Sequence, residues 1–395
     1  MNYRILSLDG GGTWALIQLK ALMALYSEGT SGQAVLADFD LVAANSGGSI
    51  VLGGLVEGLK LGEILAFFQD QTEREAVFST THSFGDRALH DLTGLGPKYS
   101  AENKLPALQN VFPTKGTLPL DRAAAGIRRP GSSEDVHVLI VGFDYDRNRA
   151  TFFRSSTANG PTWGTGEAAD VTLAEAIHAS TNAPVNYFDA PATFPDQPGH
   201  YWDGAISGCN NPVLAAVTEA IVKGQDPLSL AVLSIGTASV ALPWPRPGEE
   251  SSPYVQQIVA PGFVTDLRKL ATSILDDPPD IATFLAHVMT AGGMGLNKPP
   301  ADSRIIRMNP LISPVKNAGS WRAPGSMSAA QFTYLAKLDM DAVEQSQVDA
   351  ISKYADLWLQ DAAPNQPIRM NGDTLDPEVG QTTFQTAMAA WNAIK

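Results

Sequence analysis

An apolar run that stops at a serine constrains this chain more than any other feature. Leu41-Val42-Ala43-Ala44-Asn45-Ser46-Gly47-Gly48-Ser49-Ile50 passes from strand-like residues through a cluster of small ones into an uncharged, helix-compatible segment. The pattern predicts strand, tight turn and helix, with Ser46 at the tip of the turn, where acyl-transfer enzymes present a nucleophile. A surface turn carrying an ordinary serine fits the same ten residues.

A second strand–turn–helix precedes the first. Tyr3–Leu8 reads as a short buried strand, and Asp9-Gly10-Gly11-Gly12 as a turn that needs positive φ or close backbone approach. Leu16, Leu19, Leu22, Met23 and Tyr26 then recur at helical spacing. The glycine loop therefore opens a helix, where free N–H groups can bind an anion. Further strands are expected over 36–44, 136–143 (with 151–153 beside it), 229–235 and 304–308. Helices are expected over 48–61, from the capping box Thr172-Leu173-Ala174-Glu175 to Ser180, from Asn211-Pro212 to near Gly224, over 328–338 and over 341–360. Residues 191–200 read as loop. Alternation of this kind predicts an α/β fold, with a largely parallel central sheet flanked by helices and a helical C-terminal cover. Ala241-Leu242-Pro243-Trp244-Pro245-Arg246-Pro247-Gly248 is the clearest break. It divides a core over 1–240, with a cover or lid at about 63–131, from a mostly helical part over 241–395 packed on the same domain.

Composition limits the function classes. The 395 residues carry a formal net charge of −14, which excludes nucleic acid as the natural partner and gives no attraction to an anionic membrane. Any membrane contact is then apolar or locally basic, and transient. A single cysteine, Cys209, rules out an intrachain disulfide and a cysteine metal cluster. The N-terminal residues run straight into a strand with no signal-peptide pattern, and Leu41–Val56 is too short and too polar to span a membrane. A cytoplasmic location is expected, with signal-less export as the alternative. No obligate protein partner is evident.

Three separated pieces can carry chemistry: the glycine loop, Ser46, and Asp203 in Asp203-Gly204-Ala205. A serine hydroxyl needs a base within hydrogen-bond reach and donors aimed at the oxyanion that its attack creates. Gly10, Gly11 and Gly12 at a helix start supply such donors, and the N–H of Gly47 adds another. The base is either a histidine backed by an aspartate or an aspartate alone. None of the six histidines sits in a catalytic pattern; His137 and His178 read as packing or surface groups, and a triad would need His200 or His287 to converge on Ser46. Asp203 ends a strand-like run and is a plausible partner.

These pieces, in this order, resemble the patatin-like phospholipase family of lipid acyl hydrolases. Leu6–Gly12 resembles its oxyanion-loop motif, Ala37–Gly48 its nucleophile elbow, and Ala179–Phe188 a segment ahead of its catalytic aspartate. Asp203-Gly204-Ala205 with Asn210-Asn211-Pro212 resembles the aspartate's own segment, and Leu233–Thr237 a later core strand. The resemblance implies a three-layer patatin-like fold and a Ser46–Asp203 dyad acting on phospholipid, lysophospholipid or other lipid esters. It implies an oxyanion hole at Gly10, Gly11 and Gly12, and no cofactor or metal. Two departures stand out. Ala44 occupies the first glycine position of the elbow, and Thr13-Trp14-Ala15 replaces the x-(Arg/Lys)-Gly that usually follows the glycines. The alternatives are a catalytically weak or inactive binding protein of the same fold, and an actin-like sugar kinase using Asp-Gly-Gly-Gly-Thr as a phosphate loop. Phe67, Phe68, Phe78 and Phe84 either line an acyl pocket or pack as core.

Overall fold

The computed structural model describes residues 2–72, 74, 101, 103–156, 171–184, 187–195, 197–291, 303–317, 319–340 and 342–395. In chain order, β1 is Tyr3–Leu8, α1 Leu16–Tyr26, α2 Gly32–Leu36, β2 Leu41–Ala44, α3 Gly47–Glu57, α4 Leu61–Gln69, α5 Lys104–Val111 and α6 Leu120–Ala124. There follow β3 His137–Asp144, β4 Arg149–Arg154, α7 Leu173–Ser180, β5 Ala192–Phe194, β6 Gln197–Asp203, α8 Val213–Val222, β7 Leu230–Ile235, β8 Ser239–Val240, α9 Phe263–Thr290 and β9 Ile305–Met308. The later elements that bear on the site are α10 Ala329–Ala336, α11 Gln345–Leu359 and α12 Phe384–Ile394.

The main sheet runs β5-β6-β3-β2-β1-β7-β9, with β4 also paired to β3. The β3-β2-β1-β7-β9 core is parallel, and β4, β5 and β6 are antiparallel additions. Strands buried on both faces read as continuous apolar runs rather than alternation; β2 and β7 are buried at every residue. One apolar layer unites α1, α3, α7 and α11 against the sheet, and a second places α8 and the end of α9 on the other face. β9, from beyond the Pro-rich stretch, completes the sheet beside β7.

Two expectations are corrected. Residues 36–44 are not one strand. Ser31 caps the short helix α2 by accepting from the Ala34 amide, and only Leu41–Ala44 is extended. Val35, Leu36 and Phe39 are fully buried, and a short buried helix and a short buried strand look alike by periodicity. Residues 191–200, expected as loop, supply β5 and most of β6. Pairing to β3 and to each other overrides the turn chemistry of Pro195, Pro198 and Gly199. Among the described residues no helix is long and apolar enough to cross a membrane.

Candidate active site

The site forms where β1 and β2 end. Their register pairs Leu8 with Ala44, so the glycine loop and the Ser46 turn leave the sheet side by side, at the carboxyl edge where open α/β sheets bind ligands. Small residues make the contact possible. A Cβ on Gly47 would lie 2.5 Å from the Gly12 carbonyl oxygen, and one on Gly48 2.5 Å from that of Leu8. Gly11 and Gly12 have φ of 155° and 54° and lead into a 3-10 turn over Gly12–Ala15 that continues as α1. The glycines thus lie between a strand and a helix, not within the hairpin that a sugar-kinase phosphate loop requires.

Ser46 caps α3 with φ 48° and ψ −126°, a conformation that a non-glycine residue adopts only when its surroundings enforce it. Its amide donates to Ser180 Oγ at 2.9 Å, and its carbonyl accepts from Ser49 Oγ. The side chain faces the Asp203 carboxylate closely enough to hold down its pKa.

Asp203 reaches Ser46 through β3. β4 occupies one edge of β3; β2 and β6 share the other. Ile140 is the last β3 partner of β2, and Gly142, two residues on, is the partner of Asp203. The two antiparallel strands therefore meet end to end against β3, and their terminal residues face each other. Asp203 Oδ1 accepts from Asn45 Nδ2 at 3.0 Å and from the Ala205 amide at 2.9 Å. Burial pushes its pKa up, while the Ser46 hydroxyl, the bonds from Ala205 and Asn45 and the nearby Lys104 charge oppose that rise.

The expected donors separate on inspection. The Gly10 amide donates to the Asn210 carbonyl at 2.8 Å, so it is not available to an oxyanion and that assignment is corrected. Its lack of a side chain is what matters, because a Cβ there would meet Asn210, Asn45 and Ser46. Among the described residues the amides of Gly11, Gly12 and Gly47 have no partner. The small cavity over Ser46, about 20 Å³, is lined by Gly12, Gly47, Ile50, Lys104, Phe188 and Met340 among others.

Histidine does not join this group among the described residues. His200 is exposed and bonds Asp146 at 3.0 Å, while His287 is buried against Ser303 at 2.8 Å. His137 bonds buried Glu219, and His178 is held neutral by burial and the Lys104 charge, its pKa lowered to about 3. His82, His90, Phe78 and Phe84 lie outside the described residues. Phe68 is buried and Phe67 packs edge-on against it at 5.6 Å; neither lines the cavity, so these two are core packing. No group of side chains able to hold a metal occurs among the described residues.

Sequence reasoning missed four contributors. Asn45 and Ser180 orient the Ser46 peptide and Asp203; Lys104 and Met340 line the cavity. Asn45 and Ser180 lay inside quoted motifs, whereas nothing in Lys104-Leu105-Pro106-Ala107 distinguishes a buried lysine from a solvated one. Trp14 is buried, and its Nε1 donates to the Asp339 carbonyl at 3.0 Å, while the Thr13 amide donates to Met340 O at 3.1 Å. The indole therefore ties the glycine loop to the chain that carries Met340 over Ser46.

The fold defines a mostly parallel α/β protein with its site at the strand ends. A family model described as patatin-like phospholipase matches residues 6–217, more than half of the chain, and the chain belongs to that family. No curated protein matches it. Among solved structures, VipD from Legionella pneumophila aligns over 90% of this chain and 67% of its own, at 11% identity and TM-score 0.35. A chain in the structure of full-length SpcU with full-length ExoU, from the type III secretion system of Pseudomonas aeruginosa, aligns over 71% of this chain and 51% of its own, at 14% identity and TM-score 0.28. This chain thus spans about half the length of the latter.

Proposed function

We propose that the protein is a serine acyl hydrolase of lipid carboxylic esters, of phospholipase A, lysophospholipase or esterase type, working through Ser46 and Asp203. One observation carries the reading: a serine in an enforced positive-φ turn faces a buried carboxylate at a cavity lined by Gly12 and Gly47, whose amides have no partner among the described residues. In this reading Ser46 Oγ attacks the ester carbonyl and Asp203 takes its proton. The oxyanion forms against the amides of Gly11, Gly12 and Gly47, each worth about 2.7–4 kcal/mol of transition-state stabilisation. Collapse expels the alcohol, which takes the proton from Asp203 and leaves an acyl-Ser46. A water then attacks, giving its proton to Asp203, and the second collapse releases the carboxylic acid and returns the proton to Ser46 Oγ. Ile50, Phe188 and Met340 give an apolar wall suited to an acyl chain. Trp244, 58% exposed in the Pro-rich stretch, suits transient contact with a lipid surface.

The site's small volume favours a second reading, a protein of this fold with weak or no catalysis, since the cavity holds little more than one water. Fluorophosphonate labelling separates the two. Wild type labels at Ser46 and turns over a short-chain nitrophenyl ester with or without chelator, and Ser46→Ala and Asp203→Ala do neither. No label and no turnover on any ester sinks the hydrolase reading.

A further inference from the structure

Lys104 is a lysine with almost no exposure, 1%, on the first turn of α5, and the one cation among the described residues lining the Ser46 cavity. Its Nζ donates to the Thr181 carbonyl at 2.6 Å, lies 3.5 Å from Asn182 Oδ1 and sits 3.7 Å above the ring centre of Phe188. The turn after α7 is thus wrapped around the ammonium. The same turn holds Asp203, because the Asp203 amide donates to the Asn182 carbonyl at 2.9 Å. A buried cation is expensive unless it is paired, and a methionine would fill the space without that expense. We propose that Lys104 is the counter-charge of Asp203, a positioning residue whose ammonium keeps the base ionised and fixes the turn that carries it. The inference rests on the Ser46–Asp203 reading.

Burial works against both charges, and each charge opposes that effect on the other. Burial drives the Lys104 pKa well below the usual lysine range and the Asp203 charge opposes that; reciprocally, Lys104 is one of the groups that hold down the Asp203 pKa. Opposite charges that act on each other in this way, without direct contact, favour both charged forms together. The other titratable groups close by do not imitate the effect. His178 on α7 titrates near 3. Asp9, at the start of the glycine loop and paired with Arg307 of β9, titrates near 6 but is common to wild type and variant. Asn45 and the Ala205 amide contribute hydrogen bonds, and Ser46 a neighbouring hydroxyl, all without a charge.

The test is the pH dependence of fluorophosphonate labelling of Ser46 in the full chain, with thermal melting of each variant alongside. In Lys104→Met the acid limb is expected to move up by about one to two pH units. Labelling at pH below the wild-type limb falls about ten- to a hundredfold, and the rates approach wild type at high pH, where Asp203 is ionised in both. Lys104→Arg, which keeps the charge, leaves the limb in place. A folded Lys104→Met whose profile superposes on wild type, or falls by one factor at every pH, overturns the inference alone. Lys104→Gln, which keeps a donor for Thr181 without charge, must move the limb as Lys104→Met does; if neither variant folds, the lysine is a folding residue and the inference fails. A wild type that does not label sinks the hydrolase reading and this inference with it.

Discussion

Replacing Asp203 by asparagine separates its proposed chemical role from its structural one. Oδ1 of Asp203 accepts from Asn45 and from the Ala205 amide, and Ser46 faces the same carboxylate. The amide of Asp203→Asn accepts both bonds through its oxygen, with its nitrogen toward Ser46. The bond count is unchanged, so stability shifts by no more than about 1 kcal/mol on that account. What disappears is a buried carboxylate and, with it, the group that takes the Ser46 proton. General-base catalysis contributes about 10²- to 10⁴-fold, or about 2.7–5.5 kcal/mol of barrier, and turnover falls by that factor or more. Stability moves the other way. Burial raises the folded-state pKa of Asp203, so the wild type loses stability relative to the variant as pH rises through that value. Lys104, without its partner charge, can release its proton rather than remain an unpaired buried cation. Asp203→Asn is therefore expected to be at least as resistant to denaturant as wild type at pH 8, to converge with it at low pH, and to be inactive. Urea titrations at pH 5 and pH 8, run beside ester turnover, check both halves. Wild-type turnover in the variant, or a loss of several kcal/mol at pH 8, would refute the reasoning.

Ser46→Gly abolishes labelling and, by relieving the positive-φ strain, gains about 1–2 kcal/mol of stability in denaturant titrations. Arg307→Met strands the buried Asp9 carboxylate, which Arg307 contacts at 2.6 Å and whose pKa burial has already raised to about 6. Removing Arg307 raises that pKa further, so the variant's penalty grows as pH rises through 6, to about 3–5 kcal/mol at pH 8, and shrinks by pH 5, where Asp9 is protonated. Denaturant midpoints at the two pH values show it. Trp14→Phe deletes the bond to Asp339 at a cost of about 1 kcal/mol, and Met340→Ala opens the cavity. Both are expected to speed fluorophosphonate labelling, and unchanged rates would show that the 339–340 segment does not restrict Ser46.

What the sequence determined by itself is the local part of this protein. The glycine loop, the small residues after Ser46 and the Thr172 capping box are legible because their constraints are local. A backbone with positive φ, or one approached to within a Cβ's radius, admits few residue types wherever it lies in the chain. The parallel α/β class follows from strand-to-helix alternation, and the ordered motifs carry the family. Tertiary structure alone decided the rest. That Asp203 meets Ser46 depends on β2 and β6 sharing one edge of β3, a pairing that no local pattern encodes. The Gly10 amide is committed to Asn210, the loop's Asp9 to an arginine of β9, and Met340 sits over a serine from the far end of the chain. Lys104 marks the boundary most clearly. Its letter stands on a short helix like any solvated lysine, and only the turn folded around it after α7 removes it from water and takes up its ammonium.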